Sequence, residues 1–270
     1  MRKAVVSGQF YPSNKTKLWE MVSRFVSTAD EDLPDVDRIY GGVVPHAGYI
    51  YSGQTAARTY LALKKKRDIE TFVIFGPNHT GLGSPVAVSS EEWQTPLGVV
   101  EPDLEIIERI PPTIIDRDEV AHRREHSIEV QLPFLQYLFE EFKIVPICLG
   151  LQDQETIYEV VESVLEAISD LKREVTFIAS SDFSHYIPEE TAHRKDRKMI
   201  EKIKEMDVSG MYRVLYEENI SACGYGGIAS VMEICKEMGA KEGRLLRYTT
   251  SAETSGDSSQ VVGYASIIMC

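Results

Sequence analysis

The sequence predicts an α/β protein: a three-layer α/β/α sandwich around a mixed, mostly parallel central sheet. Short, continuously apolar runs such as "TFVIFG", "IVPICLG" and "VTFIAS" read as strands covered on both faces. Longer amphipathic stretches alternate with them, as expected of helices that carry the chain back between parallel strands. Near the C-terminal end two strand patterns follow one another, which makes the sheet mixed. The chain has 270 residues, an ordinary size for one α/β unit. It shows no internal repeat, low-complexity segment or credible linker, so one domain over residues 1–270 is expected.

In chain order, a strand is expected at 41–45, where Gly-Gly-Val-Val meets Pro45, followed by a helix at 53–63. A buried strand at 71–76 and another at 85–89 come next, then a helix at 103–110 closed by "PPT" at 111–113. The stretch 128–142 is read as one helix and 143–149 as a strand. Helix 154–171 carries the clearest 3.6-residue period, with Ile157, Val160, Val161, Val164, Leu165 and Ile168 on one face. A strand at 175–179 precedes helices at 189–206, 209–218 and 227–238. Strands at 244–250 and 260–269 flank the hydroxyl-rich loop "SAETSGDSS".

Lys and Arg number 29 against 42 Asp and Glu, a net charge of −13. That excess argues against nucleic acid or an anionic membrane as the main partner, which would call for a basic footprint. No run approaches the ~18 apolar residues of a membrane span. The N-terminal "MRKAVVSGQFYPSN" lacks the apolar core of a secretory signal. Cys148, Cys223, Cys235 and Cys270 show neither C-x-x-C spacing nor clustering, as in a reducing compartment. A cytoplasmic location is expected.

Three of the six histidines lie just beyond expected buried strands: His46 in "VVPHAGYIYSG", His79 in "FGPNH" and His185 in "SSDFSH". In open α/β sheets ligands bind at the carboxyl ends of strands. If those strands are parallel neighbours, the imidazoles converge. Asp182 adds a carboxylate able to ligate a metal or orient a ring. Cys223, on the Gly-rich loop "ACGYGG" before a helix, is a further candidate, since a helix N-terminus favours thiolate. A small buried hydrophobe is its bland alternative. Imidazole with thiolate suits iron, zinc or copper. Tyr11, Tyr49 and Tyr225 are candidate pocket walls, although scattered tyrosines usually just pack.

His122-Arg123-Arg124-Glu125-His126 matches the inverted zincin pattern, H-x-x-E-H. Its surroundings lack the apolar stripe an active-site helix needs, so a zinc protease is not expected. His126 could still reach the site from the start of the next helix. His193 is read as part of a solvated helix face. Gly81-Leu82-Gly83 is too little for a dinucleotide site, and no Walker A or G-x-S-x-G motif occurs.

The motifs "VVPHAGYIYSG", "FGPNHTG", "EHSIEVQLPF", "SSDFSHY", "ACGYGG" and "GDSSQVVGYASI" together resemble the Memo family, found from archaea to animals. The resemblance runs from "SGQFYP" to the last strand. It implies a fold similar to the class III extradiol dioxygenases, non-haem iron enzymes whose metal is held by two histidines and a glutamate. In the Memo family two histidines and a cysteine form the corresponding pocket, matching His46, His79 and Cys223 here, with Asp182 and His185 nearby. The resemblance thus implies a metal-dependent redox enzyme acting on a small molecule, with Fe(II) as first choice and zinc or copper as alternatives. His185 would be the general acid/base, oriented by Asp182. The cysteine in place of the carboxylate leaves two rivals open: a non-catalytic module binding a peptide, metabolite or metal, and a zinc hydrolase. Substrate and oligomeric state are not legible.

Overall fold

The computed structural model describes residues 1–29, 33–66 and 68–270. Its helices are α1 (Lys15–Thr28), α2 (Tyr49–Lys66), α3 (Leu104–Arg109), α4 (Glu119–His122) and α5 (Leu132–Leu138). They continue as α6 (Gln154–Ile168), α7 (Glu189–Lys204), α8 (Val208–Glu217), α9 (Tyr225–Glu237) and α10 (Ala252–Ser255). The strands are β1 (Gly41–Val44), β2 (Thr71–Pro77), β3 (Val86–Val88), β4 (Trp93–Thr95), β5 (Gly98–Pro102) and β6 (Asp116–Arg117). The remainder are β7 (Lys143–Leu149), β8 (Val175–Ser180), β9 (His185–Ile187), β10 (Gly243–Thr250) and β11 (Val261–Met269).

The expected α/β sandwich is what forms. Its mixed sheet runs β10-β11-β1-β8-β2-β7-β3-β6. The four middle strands β1, β8, β2 and β7 are mutually parallel, with Val43 opposite Ala179 and Val73 opposite both Phe177 and Val145. On one side β11 and β10 close the sheet antiparallel, as the two successive C-terminal strand patterns required. On the other, β3 turns antiparallel to β7.

Side chains along a strand alternate between faces, and both faces are dry here. Val73 and Phe75 of β2 point into a core shared with α6, α8 and α9. Phe72 and Ile74 point into the opposite core, built with α1, α2 and α5. Burial of one such side chain contributes roughly 1.5–3 kcal/mol before the entropy of ordering it. No helix among the described residues is long and apolar enough to cross a membrane.

Two helices differ from the sequence expectation in ways that matter for the site. Helix α2 begins at Tyr49, four residues earlier than its apolar period suggested, so it starts immediately after His46-Ala47-Gly48. Gly53 lies inside it because a Cβ there would come within 2.4 Å of the Phe25 ring. The stretch 128–142 is not one helix: a 3₁₀ turn, Glu129–Gln131, gives way to α5 with Pro133 in its first turn. Proline has no N–H to continue an existing helix but suits the start of a new one. Helix α1 was not anticipated, although Asn14 caps Lys17 N and Leu18, Val22 and Phe25 supply the buried stripe. The short β4–β5 hairpin, β6, β9, α4 and α10 also lacked a periodic signal, each being five residues or fewer.

Candidate metal centre

Parallel strands β1 and β2 both pair with β8, so the chain leaves all three at the same sheet edge. His46 follows β1 by two residues and His79 follows β2 by two, and their ring centroids lie 5.2 Å apart. A third imidazole comes from the segment between α4 and the 3₁₀ turn. His126 stacks on His79 at 4.7 Å and meets His46 edge-on at 5.5 Å. One ligand nitrogen from each of His46, His79 and His126 falls within 4.8 Å of the others, so these three residues could hold a metal ion.

Cys223 stands outside that group of three but touches one member of it, its Sγ 3.1 Å from His46 Nε2. The loop carrying it is pinned from both sides. Gln152 donates to the Cys223 carbonyl at 3.0 Å, and Gly224 N donates to Ser181 Oγ at 3.0 Å. Gly224 has no room for a side chain, because a Cβ would sit 2.3 Å from the Ser180 carbonyl oxygen. Gly224→Ala is therefore expected to cost about 1–3 kcal/mol through overpacking. It should also move the thiol away from His46, visible as slower alkylation kinetics no longer matching wild type; unchanged stability and reactivity would show that the loop gives way freely.

Glu125 organises two of the three rings. Its carboxylate accepts His79 N at 2.6 Å, His79 Nδ1 at 2.9 Å, His126 N at 2.8 Å and Ser127 N at 2.9 Å. Burial works against its charge, but the His79 hydrogen bond, the His79 and His126 rings and the Ser127 N–H outweigh burial and hold the carboxyl down at about 2. Burial pulls His79 down as well, yet the Glu125 hydrogen bond and charge, with Asp182, leave it raised. Burial and its two imidazole neighbours keep His46 well below the ordinary histidine range. His126 is lowered, chiefly by burial.

A helix N-terminus was expected to favour the Cys223 thiolate. Burial and the Asp182 carboxylate push the thiol up, against the hydrogen bonds that the Asp182 backbone and Ser181 offer it. A bound cation would reverse that balance.

The cluster opens into a cleft of about 520 Å³ whose walls include Phe10, Tyr186, Ser221 and Val262. With this geometry in place, a family model described as "Memo-like protein" matches residues 2–268. The chain belongs to the Memo-like family. A MEMO1 family protein of Methanosarcina barkeri is 49% identical over the whole of both chains. One from Methanococcoides burtonii is 50% identical, again over all of both, and one from Archaeoglobus fulgidus is 49% identical over 99% of each.

In this Memo-like chain His185 lines the same cleft, but Asp182 does not orient its ring. His185 Nδ1 meets the Ser221 carbonyl at 2.9 Å and His185 N donates to the Ser221 hydroxyl oxygen at 2.8 Å. The Asp182 carboxylate accepts His46 N at 2.8 Å instead, because the turn after β8 aims it at the entry to α2. Burial holds the Asp182 carboxyl above the usual range, against that backbone bond. Tyr186, next to His185, has φ 55° and is 72% exposed at the cleft lip.

The three tyrosines expected as pocket walls are placed elsewhere. Tyr11 gives its hydroxyl to Glu129 Oε1 at 2.6 Å, Tyr49 gives its own to the Val130 carbonyl at 2.6 Å, and Tyr225 packs edge-on against Tyr212. The Tyr11 and Tyr49 hydroxyls find partners behind the wall, as those of buried tyrosines must. Phe10 takes the wall position beside His126 at 4.7 Å.

His122 and His126 do not share a helix face, because α4 ends at His122. His122 is fully buried, with Nε2 3.1 Å from the Ala87 carbonyl and its ring against Trp93. The segment is thus less polar in its surroundings than its composition suggests: Ala121, His122 and Glu125 are all buried. His193 is partly exposed beside Glu189 and Tyr248. Reading the sequence also missed Glu125 as the ring-holder, which no spacing rule could reveal.

Proposed function

We propose that this chain is a metal-dependent redox enzyme acting on a small molecule, with iron(II) held by His46, His79 and Cys223 and with His126 beside them. The observation that carries the reading is the His46–Cys223 contact of 3.1 Å inside a cleft where His79 and His126 also converge. The donor set fits a borderline metal, since nitrogen and sulfur ligands are both present and the site is open on one side. Such an ion would supply Lewis acidity and one-electron chemistry. His79, with Nδ1 committed to Glu125, keeps Nε2 free as a donor atom. His185, with Nδ1 at the Ser221 carbonyl, keeps Nε2 free to take or give a proton within the cleft. Asp182 fixes the backbone of His46 at the start of α2. Phe10, Tyr186 and Val262 provide apolar wall against which a small organic molecule would rest.

Anaerobically purified protein supplied with Fe(II) should take up stoichiometric iron, measured by elemental analysis after desalting. His46→Ala and Cys223→Ser should lose most of it while keeping the circular-dichroism spectrum. Wild-type protein that stays metal-free would overturn the reading. The three-imidazole set also favours a second reading, a zinc hydrolase, since three histidines are a common catalytic zinc set. Turnover that needs oxygen excludes it, and turnover supported by Zn(II) without oxygen would replace the redox reading.

A further inference from the structure

Ser180, the last residue of β8, is fully buried and its hydroxyl has three neighbours. It lies 2.6 Å from the Ser127 carbonyl, 2.8 Å from Gln131 Nε2 and 2.9 Å from His46 Nδ1. A hydroxyl has one proton and two lone pairs, so the chemistry of the neighbours decides the direction of each bond. The Ser127 carbonyl can only accept, and it takes the hydroxyl proton. The Gln131 amide is oriented independently: its nitrogen faces the Pro45 carbonyl at 3.1 Å, and its oxygen takes the Tyr60 hydroxyl at 2.8 Å. Gln131 Nε2 therefore donates into one Ser180 lone pair. Only a lone pair remains for His46, which must then donate from Nδ1.

We infer that Tyr60, Gln131 and Ser180 form a buried relay that locks His46 in the Nδ1–H tautomer and aims the Nε2 lone pair at the metal position. Ser180 is a positioning residue, acting through His46. In the opposite tautomer Nδ1 would need the single Ser180 proton, leaving two oxygen lone pairs facing each other at 2.6 Å across the Ser127 contact. Tyr60, Gln131, Ser127 and Ser180 are all fully buried, so water cannot repair that mismatch. The relay also explains how two elements remote in sequence set one atom's chemistry, since α2 contributes Tyr60 and the 3₁₀ turn contributes Gln131. This inference rests on the proposed metal site for its purpose, and on hydrogen bonding alone for its content.

The test is long-range ¹H–¹⁵N NMR of the imidazoles in metal-free protein, where the two tautomers give different cross-peak patterns. Wild type should show His46 as Nδ1–H only; Nε2–H or a mixture would overturn the relay. Ser180→Ala removes the acceptor, so His46 should turn to Nε2–H, donating toward Cys223. Titration with the zinc ion alone, a tighter binder than Fe(II) at such sites, should then show a loss of affinity of about 10–100-fold. An unchanged tautomer or unchanged zinc affinity in folded Ser180→Ala would overturn the inference while leaving the metal reading intact. Should that variant fail to fold, the wild-type tautomer decides alone. A pure Nδ1–H signal in a protein that binds no metal would preserve the relay and remove the proposed function.

Discussion

Replacing Arg2 by alanine is expected to destabilise the fold by about 3–5 kcal/mol, the cost of stripping one partner from a buried ion pair. Arg2 is 5% exposed and Glu129 fully buried, with Nη1 2.8 Å from Oε2. The guanidinium uses its other donors on the His122 carbonyl at 2.7 Å and on the Glu125 carbonyl, and its plane lies 4.0 Å over the Trp93 ring. Glu129 in turn accepts Val5 N, Val6 N and the Tyr11 hydroxyl. The N-terminal segment thus straps the stretch that delivers Glu125 and His126. Without Arg2 the Glu129 charge stays buried and two carbonyls lose their donor. Urea denaturation followed by circular dichroism would measure the loss, and a change under 1 kcal/mol would refute the strap. Arg2→Lys should recover only part, because one ammonium cannot match a planar fork serving three acceptors.

Glu125→Gln should lower metal affinity by about 10–100-fold, as loss of a group that orients ligand rings generally does. Three donors converge on Oε1 and one on Oε2. An amide offers only one acceptor oxygen, so at least one N–H would face an NH₂ group. The expected stability cost is about 1–3 kcal/mol for the unsatisfied donor. The charge that keeps His79 basic disappears as well. Zinc or Fe(II) competition against a chelating dye would give the affinity directly. Wild-type affinity in the folded variant would show that His79 and His126 are held by packing alone.

Neither Arg2 nor the ring-holding role of Glu125 was legible in the sequence, and the reason is physical. Apolar periodicity reports what a segment buries. It therefore found β1, β2, β3, β7, β8, β10, β11 and the helices α2, α3, α6, α7, α8 and α9, and it located His46, His79 and His185 at strand ends. It does not report which polar groups pair across long separations. Arg2 and Glu129 are 127 residues apart, and Glu125 meets His79 across 46. Helix α1 was legible in principle, since Asn14 and the stripe at Leu18, Val22 and Phe25 are local. The direction of the Cys223 shift was not legible, because the helix end is local whereas burial and the Asp182 carboxylate come from the fold.

By itself, the sequence determined an acidic α/β chain whose buried strands end in imidazoles, because strand burial and residue type are properties of short segments. Only the tertiary structure decided that β1, β8 and β2 lie side by side and parallel, which turns separate strand ends into one cleft. It also brought His126 rather than His122 to that cleft, by ending α4 between them and burying His122 against Trp93. The tautomer of a ring and the charge of a carboxylate follow from neighbours in space, and those neighbours exist only once the sheet has assembled.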